Sequence, residues 1–241
     1  MFRKKRYVQP RIDTNKKSWS LAFYLSIPCT FFLTLSIALS LKKRLDLSSL
    51  STDSWITFAY SAAGSAALLM VFKVPTLKTF MHELKHAVVV VLTGNKLNEF
   101  KVYRDIGHVS YSMFHNKRQF APFILLAPYF FPLLSLPALI AVICLEGYVG
   151  THILSPILGA CLAADLVSAW EELHPHQSDL KRIFGGRLFV LVFLLGANLL
   201  WISLCLIWPA GGRELYVASG YELLEFSREA LKYAAAELNL F

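Results

Sequence analysis

Charged residues are scarce in this sequence, and so are the features that mark soluble or modular proteins. Only 17% of the 241 residues are charged and 56% are hydrophobic, whereas soluble domains carry about 25% charged residues. This imbalance excludes both an ordinary soluble domain and a disordered chain. The sequence also has no internal repeat, low-complexity segment or long polar linker. It therefore predicts one integral membrane domain.

The cysteines and the charge balance bear on two further classes, proteins built on a cysteine framework and proteins that bind nucleic acid. The four cysteines lie inside apolar runs without close spacing, which excludes a cysteine-based disulfide or zinc framework. Lys and Arg number 24 against 16 Asp and Glu, for a net charge of +8. Because the basic residues flank apolar runs, we interpret this excess as contact with anionic lipid headgroups. We expect the lipid bilayer, and no nucleic acid, as a partner.

Long apolar runs divide the chain into five segments. Runs of about twenty apolar residues cross the roughly 30 Å hydrocarbon layer of a bilayer. The fold class predicted is an all-α integral membrane protein, a bundle of about five to six transmembrane helices. In order, we predict a basic tail over 1–18, two transmembrane helices over 19–72, a central core over 73–180, a last transmembrane helix within 181–211 and an amphipathic tail over 212–241.

Two parts of the core depart from plain membrane helices. A helix over 76–93 is predicted to end at Gly94, and apolar residues then alternate with polar ones on either side of Gly107. This pattern predicts a short β-hairpin. The run 120–145 contains four prolines, so we predict a kinked span there.

The distribution of basic residues predicts the orientation of the chain. Seven Lys or Arg precede the first span, against three that directly follow it. Since cytoplasmic loops carry the excess of basic residues, we expect the N-terminus on the cytoplasmic side of the membrane.

The segment 79–91 carries a His-Glu-x-x-His motif on a predicted helix. At about 100° per residue, His82 and His86 lie on one face a turn apart, so their imidazoles can bind one Zn²⁺. Glu83 lies beside that face, where its carboxylate can take a proton from zinc-bound water. Zinc lowers the pKa of that water towards about 7 and polarises a carbonyl, so the three residues suit amide hydrolysis.

A third metal ligand is expected, because catalytic zinc sites take three protein ligands. Asp165 is the only acid inside an apolar run, where an unpaired carboxylate is costly. We therefore expect Asp165 to be that ligand. Asp179 and Glu172, in the polar segment that follows, remain alternatives.

The central core resembles the site-2 protease group of intramembrane zinc metalloproteases, in the small bacterial branch that lacks a PDZ domain. The likeness covers about residues 74–180 and rests on Pro75-x6-His82-Glu83-x-x-His86-Ala87, followed by Leu92-Thr93-Gly94 and a hairpin. It implies a metalloprotease core with one Zn²⁺ per chain, in a bacterial cytoplasmic membrane. It also implies His82, His86 and Asp165 as metal ligands and Glu83 as the catalytic base. The sequence departs from the group where Ala164-Asp165-Leu166 replaces Leu-Asp-Gly and where Lys85 replaces a frequent glycine.

The hypothesis drawn from these residues is an intramembrane zinc metalloendopeptidase that hydrolyses transmembrane or membrane-anchored protein substrates. One alternative is an inactive membrane scaffold or assembly factor of the same family, which would normally have lost His82, Glu83 or His86. Another is a metal-dependent transporter, which would carry more intramembrane polar residues than Asp165 and Asn198. The sequence does not determine the oligomeric state.

Overall fold

The computed structural model of the chain describes residues 20–44, 52–103, 106–173 and 186–238. Helices dominate these ranges, and one two-stranded antiparallel sheet accompanies them. The predicted basic tail over 1–18 and the candidate ligand Asp179 lie outside the described residues. In chain order the elements are α1 (Leu21–Arg44), α2 (Thr52–Val71), α3 (Pro75–Leu92), β1 (Lys96–Val102), β2 (Gly107–Ser112), a 3₁₀ turn (His115–Phe120), α4 (Ala121–Phe130), α5 (Ser135–Leu145), α6 (Thr151–Glu172) and α7 (Gly186–Leu238).

The helices confirm the predicted membrane bundle. Within the described ranges, four helices are long and apolar enough to cross a membrane, and α4 with α5 makes a fifth candidate broken by a 75° bend. This bend is the predicted kink of the proline-rich run. The spans number four or five because α3 is not among them: its charged residues and two histidines lower its hydropathy. The four spanning segments are Leu21–Lys42, Asp53–Val71, Thr151–Glu172 and Arg187–Glu229.

Both ends of α3, the helix with the His-Glu-x-x-His motif, are set by local sequence. Pro75 occupies the first turn, where its missing N–H costs no helical hydrogen bond. Gly94 has a φ of +67°, a backbone conformation that favours glycine. There the Gly94 N–H donates to the Val91 carbonyl at 2.8 Å and the Asn95 N–H donates to the Val90 carbonyl at 3.0 Å. The predicted glycine C-cap is therefore present, and the helix has a defined length.

The two strands form the predicted hairpin and pack against α3. Val102 pairs with Gly107 next to the turn, and Phe100 pairs with Val109 further along the ladder. The rings of Phe80 on α3 and Phe100 on β1 meet edge to face, with centroids 5.9 Å apart. The hairpin therefore lies beside the helix that carries the motif.

Helix α6 packs closely against α2, because a glycine faces the α2 backbone. A Cβ on Gly159 would overlap the Phe58 carbonyl and crowd the Ser61 hydroxyl. Small residues permit such close approach between membrane helices. Helix α6 is thereby held inside the bundle, and its inner face is buried.

Helix α4 fills the space between α3 and the outer helices. Ile124 packs with Val90 of α3, and Tyr129 packs with Phe23 of α1 and Phe193 of α7. All five of these side chains are buried. The carbonyl groups of α4 are therefore held at a defined distance from α3.

The last helix, α7, breaks at two glycines. Gly212 has a φ of +58°, and the following Arg213 N–H donates to the Glu146 carboxylate at 2.8 Å. Beyond this break the helix packs along α1, where Phe226 stacks on Phe32 with centroids 5.3 Å apart. The segment predicted as an amphipathic tail is thus helical as far as Leu238 and uses one side to contact α1.

Candidate active site

The two motif histidines converge through one nitrogen each. Their Nε2 atoms lie 3.3 Å apart. His86 Nδ1 donates to the carbonyl of Ile124 on α4 at 2.7 Å, and His82 Nδ1 lies against Oε2 of Glu172 at the end of α6. Because each Nδ1 faces an oxygen acceptor, we assign the ring proton to Nδ1, which leaves the lone pair of each Nε2 directed towards the other ring.

This pair fits two ligand positions of a zinc ion. Imidazole nitrogens bind Zn²⁺ at about 2.0–2.1 Å, so two of them in a tetrahedral site lie about 3.3 Å apart. The observed Nε2–Nε2 distance of 3.3 Å has this value. Within the described ranges, no group of three or more His, Cys, Asp or Glu side chains could hold a metal ion.

Glu83, the predicted base, is confined by the hairpin. Its side chain is half-buried and lies against Gly107, the first residue of β2. A Cβ at position 107 would overlap the Glu83 methylene and carboxylate. A larger residue at position 107 would force the Glu83 side chain or the hairpin to shift, so the start of β2 limits where this carboxylate can lie.

Asp165 has several partners in the described structure. It is 5% exposed, and its Oδ2 accepts hydrogen bonds from the Leu134 N–H at 3.0 Å, the Ser135 N–H at 2.8 Å and the Ser135 hydroxyl at 2.6 Å. Its Oδ1 lies 3.8 Å from Nζ of Lys85, a side chain that is itself 1% exposed. The first turn of α5 and one buried ammonium thus compensate the burial of this carboxylate. The role of Asp165 as a metal ligand stays a prediction.

Glu172, which the sequence offers as an alternative third ligand, contacts His82 on the side of the ring that faces away from His86. Its side chain is 4% exposed, and it meets the ring nitrogen of His82 that points away from His86. A carboxylate in this position orients a metal-binding histidine.

Sequence reasoning missed three contacts of the site. The Ile124 carbonyl is a backbone group, so no side-chain pattern marks it. Tyr129, whose ring meets that of His82 edge to face at 6.3 Å, is one aromatic residue among many in an apolar run. The Lys85–Asp165 pair joins two helices that are far apart in sequence, so no local pattern marks it.

These features define the class of the protein. It is a multi-span helical membrane protein that carries a paired-histidine helix with an adjacent glutamate, the arrangement of membrane metallopeptidases. The family model described as Peptidase M50B-like matches residues 56–209, more than half of the chain, and the protein belongs to this family. The predicted site-2 protease-type resemblance is thereby confirmed. The chain matched none of the curated proteins or solved structures with which it was compared.

Proposed function

We propose that this protein is an intramembrane zinc metalloendopeptidase that hydrolyses peptide bonds of transmembrane or membrane-anchored protein substrates. The observation that carries the proposal is the pair of Nε2 atoms of His82 and His86, 3.3 Å apart, with Glu83 next in sequence. Membership of a peptidase family agrees with this chemistry.

His82 and His86 would hold one Zn²⁺ per chain. When bound, the ion supplies an acidified water and a polarised scissile carbonyl. The third protein ligand is proposed to be an acid of α6 or of the segment after it. Asp165 is the first candidate, and Glu172 and Asp179 are the others.

Glu83 performs the proton transfers in this proposal. As general base it takes a proton from the attacking water, and it then delivers that proton to the leaving amine of the cleaved peptide. The contact with Gly107 limits the positions that this carboxylate can take. The hydrogen bond from His86 to the Ile124 carbonyl keeps that imidazole from turning away.

The substrate is proposed to bind in an extended form. A peptide bond within a helix has its carbonyl and N–H engaged, so a transmembrane helix must unwind before cleavage. The hairpin that packs on α3 offers a strand edge to which an unwound segment can add. Its contact with Glu83 through Gly107 brings this edge close to the proposed base.

The lipid bilayer is the second proposed partner. Large apolar side chains on α1 and α2 are exposed, among them Leu35, Tyr60 and Leu68. Such a surface requires an apolar solvent and suits lipid chains. From the basic residues near the first span, we propose a cytoplasmic N-terminus, and from the family resemblance a bacterial cytoplasmic membrane.

The test combines metal analysis with cleavage. The purified chain, reconstituted in lipid vesicles, is assayed for zinc by mass spectrometry and for cleavage of a labelled single-span membrane protein. Glu83→Gln should retain zinc and lose about 10²- to 10⁴-fold in turnover, because the general base is absent. His82→Ala and His86→Ala should lose zinc and activity together.

Glu229→Gln is the matched control, since Glu229 is an exposed acid of α7 that pairs with Lys232. This variant should cleave at the rate of the unaltered protein. A Glu83→Gln variant with undiminished turnover would overturn the proposal, as would cleavage that survives removal of all zinc by a chelator.

A further inference from the structure

Glu172 is a buried acid that the proposed proton transfers do not use. It is 3% exposed at the C-terminal end of α6. Its Oε2 contacts His82 Nδ1, whereas its Oε1 is buried without a hydrogen-bond partner in the part of the chain that the structure describes. A carboxylate is costly to bury with incomplete hydrogen bonding, so a buried acid of this kind is a candidate for a functional role.

We propose that Glu172 is the positioning residue of the metal centre and acts through His82. Its carboxylate holds the ring in the form with the proton on Nδ1. The Nε2 lone pair then points at the metal position and donates more strongly. This inference rests on the proposed function only in assuming that a metal binds at His82 and His86.

The need for such a residue follows from the geometry of α3. Helical spacing places two imidazoles on one face, but the second side-chain torsion of a histidine is broad and roughly two-fold. An anchor at each Nδ1 therefore has to select the ring orientation. The anchor of His86 is the neutral carbonyl of Ile124 on α4, and that of His82 is the Glu172 carboxylate on α6. The charged acceptor makes the stronger bond.

Asp165, the other buried acid of α6, does not have this contact. Its oxygens accept hydrogen bonds from the first turn of α5 and face Lys85. Lys85 and His82 are three residues apart on α3. Helix α6 thus contacts α3 through two buried acids with different partners, and of these two Glu172 is the one that contacts a histidine of the pair.

Glu171 provides a matched control at the adjacent position. It carries the same charge on the same last turn of α6. Its carboxylate lies 3.3 Å from Nζ of Lys78, and both side chains are partly exposed. Replacing Glu171 by Gln removes one negative charge near the site without removing the histidine contact.

The experiment measures zinc dissociation constants of the full chain in detergent micelles by competition with a chromogenic chelator. Glu172→Ala should weaken zinc binding about 10- to 100-fold, the range typical of outer-shell partners. Glu172→Gln should fall between this variant and the unaltered protein, because its amide oxygen still accepts the Nδ1 proton. Glu171→Gln should bind within about twofold of the unaltered protein. Zinc affinity in Glu172→Ala within about twofold of normal would overturn the inference.

A second measurement does not depend on the folding of any Glu172 variant. In the zinc-free unaltered protein, ¹⁵N NMR of the imidazole rings should show His82 protonated at Nδ1, with the signal assigned by its absence in His82→Asn. A His82 ring protonated only at Nε2 would overturn the inference.

The outcomes separate this inference from the proposed function. If the variants follow the expected order of zinc affinity and the unaltered protein cleaves no substrate, the endopeptidase proposal fails alone. If the unaltered protein binds zinc and cleaves while Glu172→Ala keeps its affinity, the positioning role fails alone.

Discussion

Lys85 is an ammonium in the buried face of α3, one residue before a proposed metal ligand. In the sequence it stands out only as a replacement for a frequent glycine. The structure places its Nζ 3.8 Å from Asp165 Oδ1 and 3.3 Å from the Pro128 carbonyl. Lys85 is therefore the cation that compensates the buried Asp165 among the described residues. A buried carboxylate in an apolar helix does not by itself require a metal.

A double-mutant cycle tests this pair. Asp165→Asn should destabilise the protein by about 3–5 kcal/mol, because it leaves the Lys85 charge buried without its counter-charge. Lys85→Met combined with Asp165→Asn should recover most of that loss, since the charges are removed together. Thermal unfolding in detergent measures the effect. Lys78→Met with Glu171→Gln, which removes a partly exposed pair, should change stability by about 1 kcal/mol or less.

The zinc affinity of the double variant then decides the role of Asp165. A loss of zinc affinity beyond the 10- to 100-fold typical of outer-shell partners would, in this stable protein, identify Asp165 as the third ligand. Normal affinity would assign Asp165 to the Lys85 pair, and the third ligand would be sought at Asp179. A double variant as unstable as Asp165→Asn would contradict the compensating role of Lys85.

The hairpin and α3 act together in presenting Glu83. Strand β2 begins at Gly107, and this glycine is where the sheet approaches the proposed base. The sequence marked Gly107 as a turn residue, but its φ is not positive. Glycine suits this position because the Glu83 side chain occupies the space that a Cβ would take.

Gly107→Ala should therefore impair catalysis more than metal binding. The added methyl group overlaps Glu83, so either the carboxylate or the hairpin must move, and a shift of about 1 Å can cost 10²-fold in rate. Turnover and zinc content of the reconstituted protein are the measurements. Gly64→Ala is the matched control, since a Cβ there meets nothing within 4 Å. Normal turnover in Gly107→Ala would show that this contact does not position the base.

The histidine pair links three helices of the bundle. His82 and His86 belong to α3, and their Nδ1 atoms contact α4 through Ile124 and α6 through Glu172. The two rings are brought together only in the folded protein, so a metal held by both of them would bind only the folded state. Metal binding should therefore be coupled to the stability of the bundle.

Zinc is accordingly expected to raise the unfolding temperature. At about 100 times its dissociation constant, a ligand that binds only the folded state adds about 2.7 kcal/mol. Scans of the detergent-solubilised protein with zinc and with chelator measure the shift. His82→Ala and His86→Ala should abolish it, whereas His152→Ala, at the start of α6, should retain it. An equal shift in all three variants would place the zinc elsewhere.

The sequence was sufficient to predict the features that depend on neighbouring residues. Apolar runs predict membrane helices because the bilayer sets their length. The spacing of His82 and His86 places them on one face because the helical repeat is 3.6 residues. Gly94 and the alternation around Gly107 predict the helix end and the hairpin through local backbone preferences. Each of these predictions concerns residues within one turn, one strand pair or one span.

The partners of the site were decided by tertiary packing. Glu172 lies 90 residues from His82 in sequence, and Ile124 lies 38 residues from His86. Asp165 and Lys85 are likewise separated by several elements, so the cost of burying Asp165 was apparent in the sequence while its compensation was not. The periodicity of one helix predicts which face a residue occupies, but not which helix lies opposite. That choice depends on the close packing of α2 on α6 and of α4 on α3, which brings the buried groups of α6 and α4 to the motif helix.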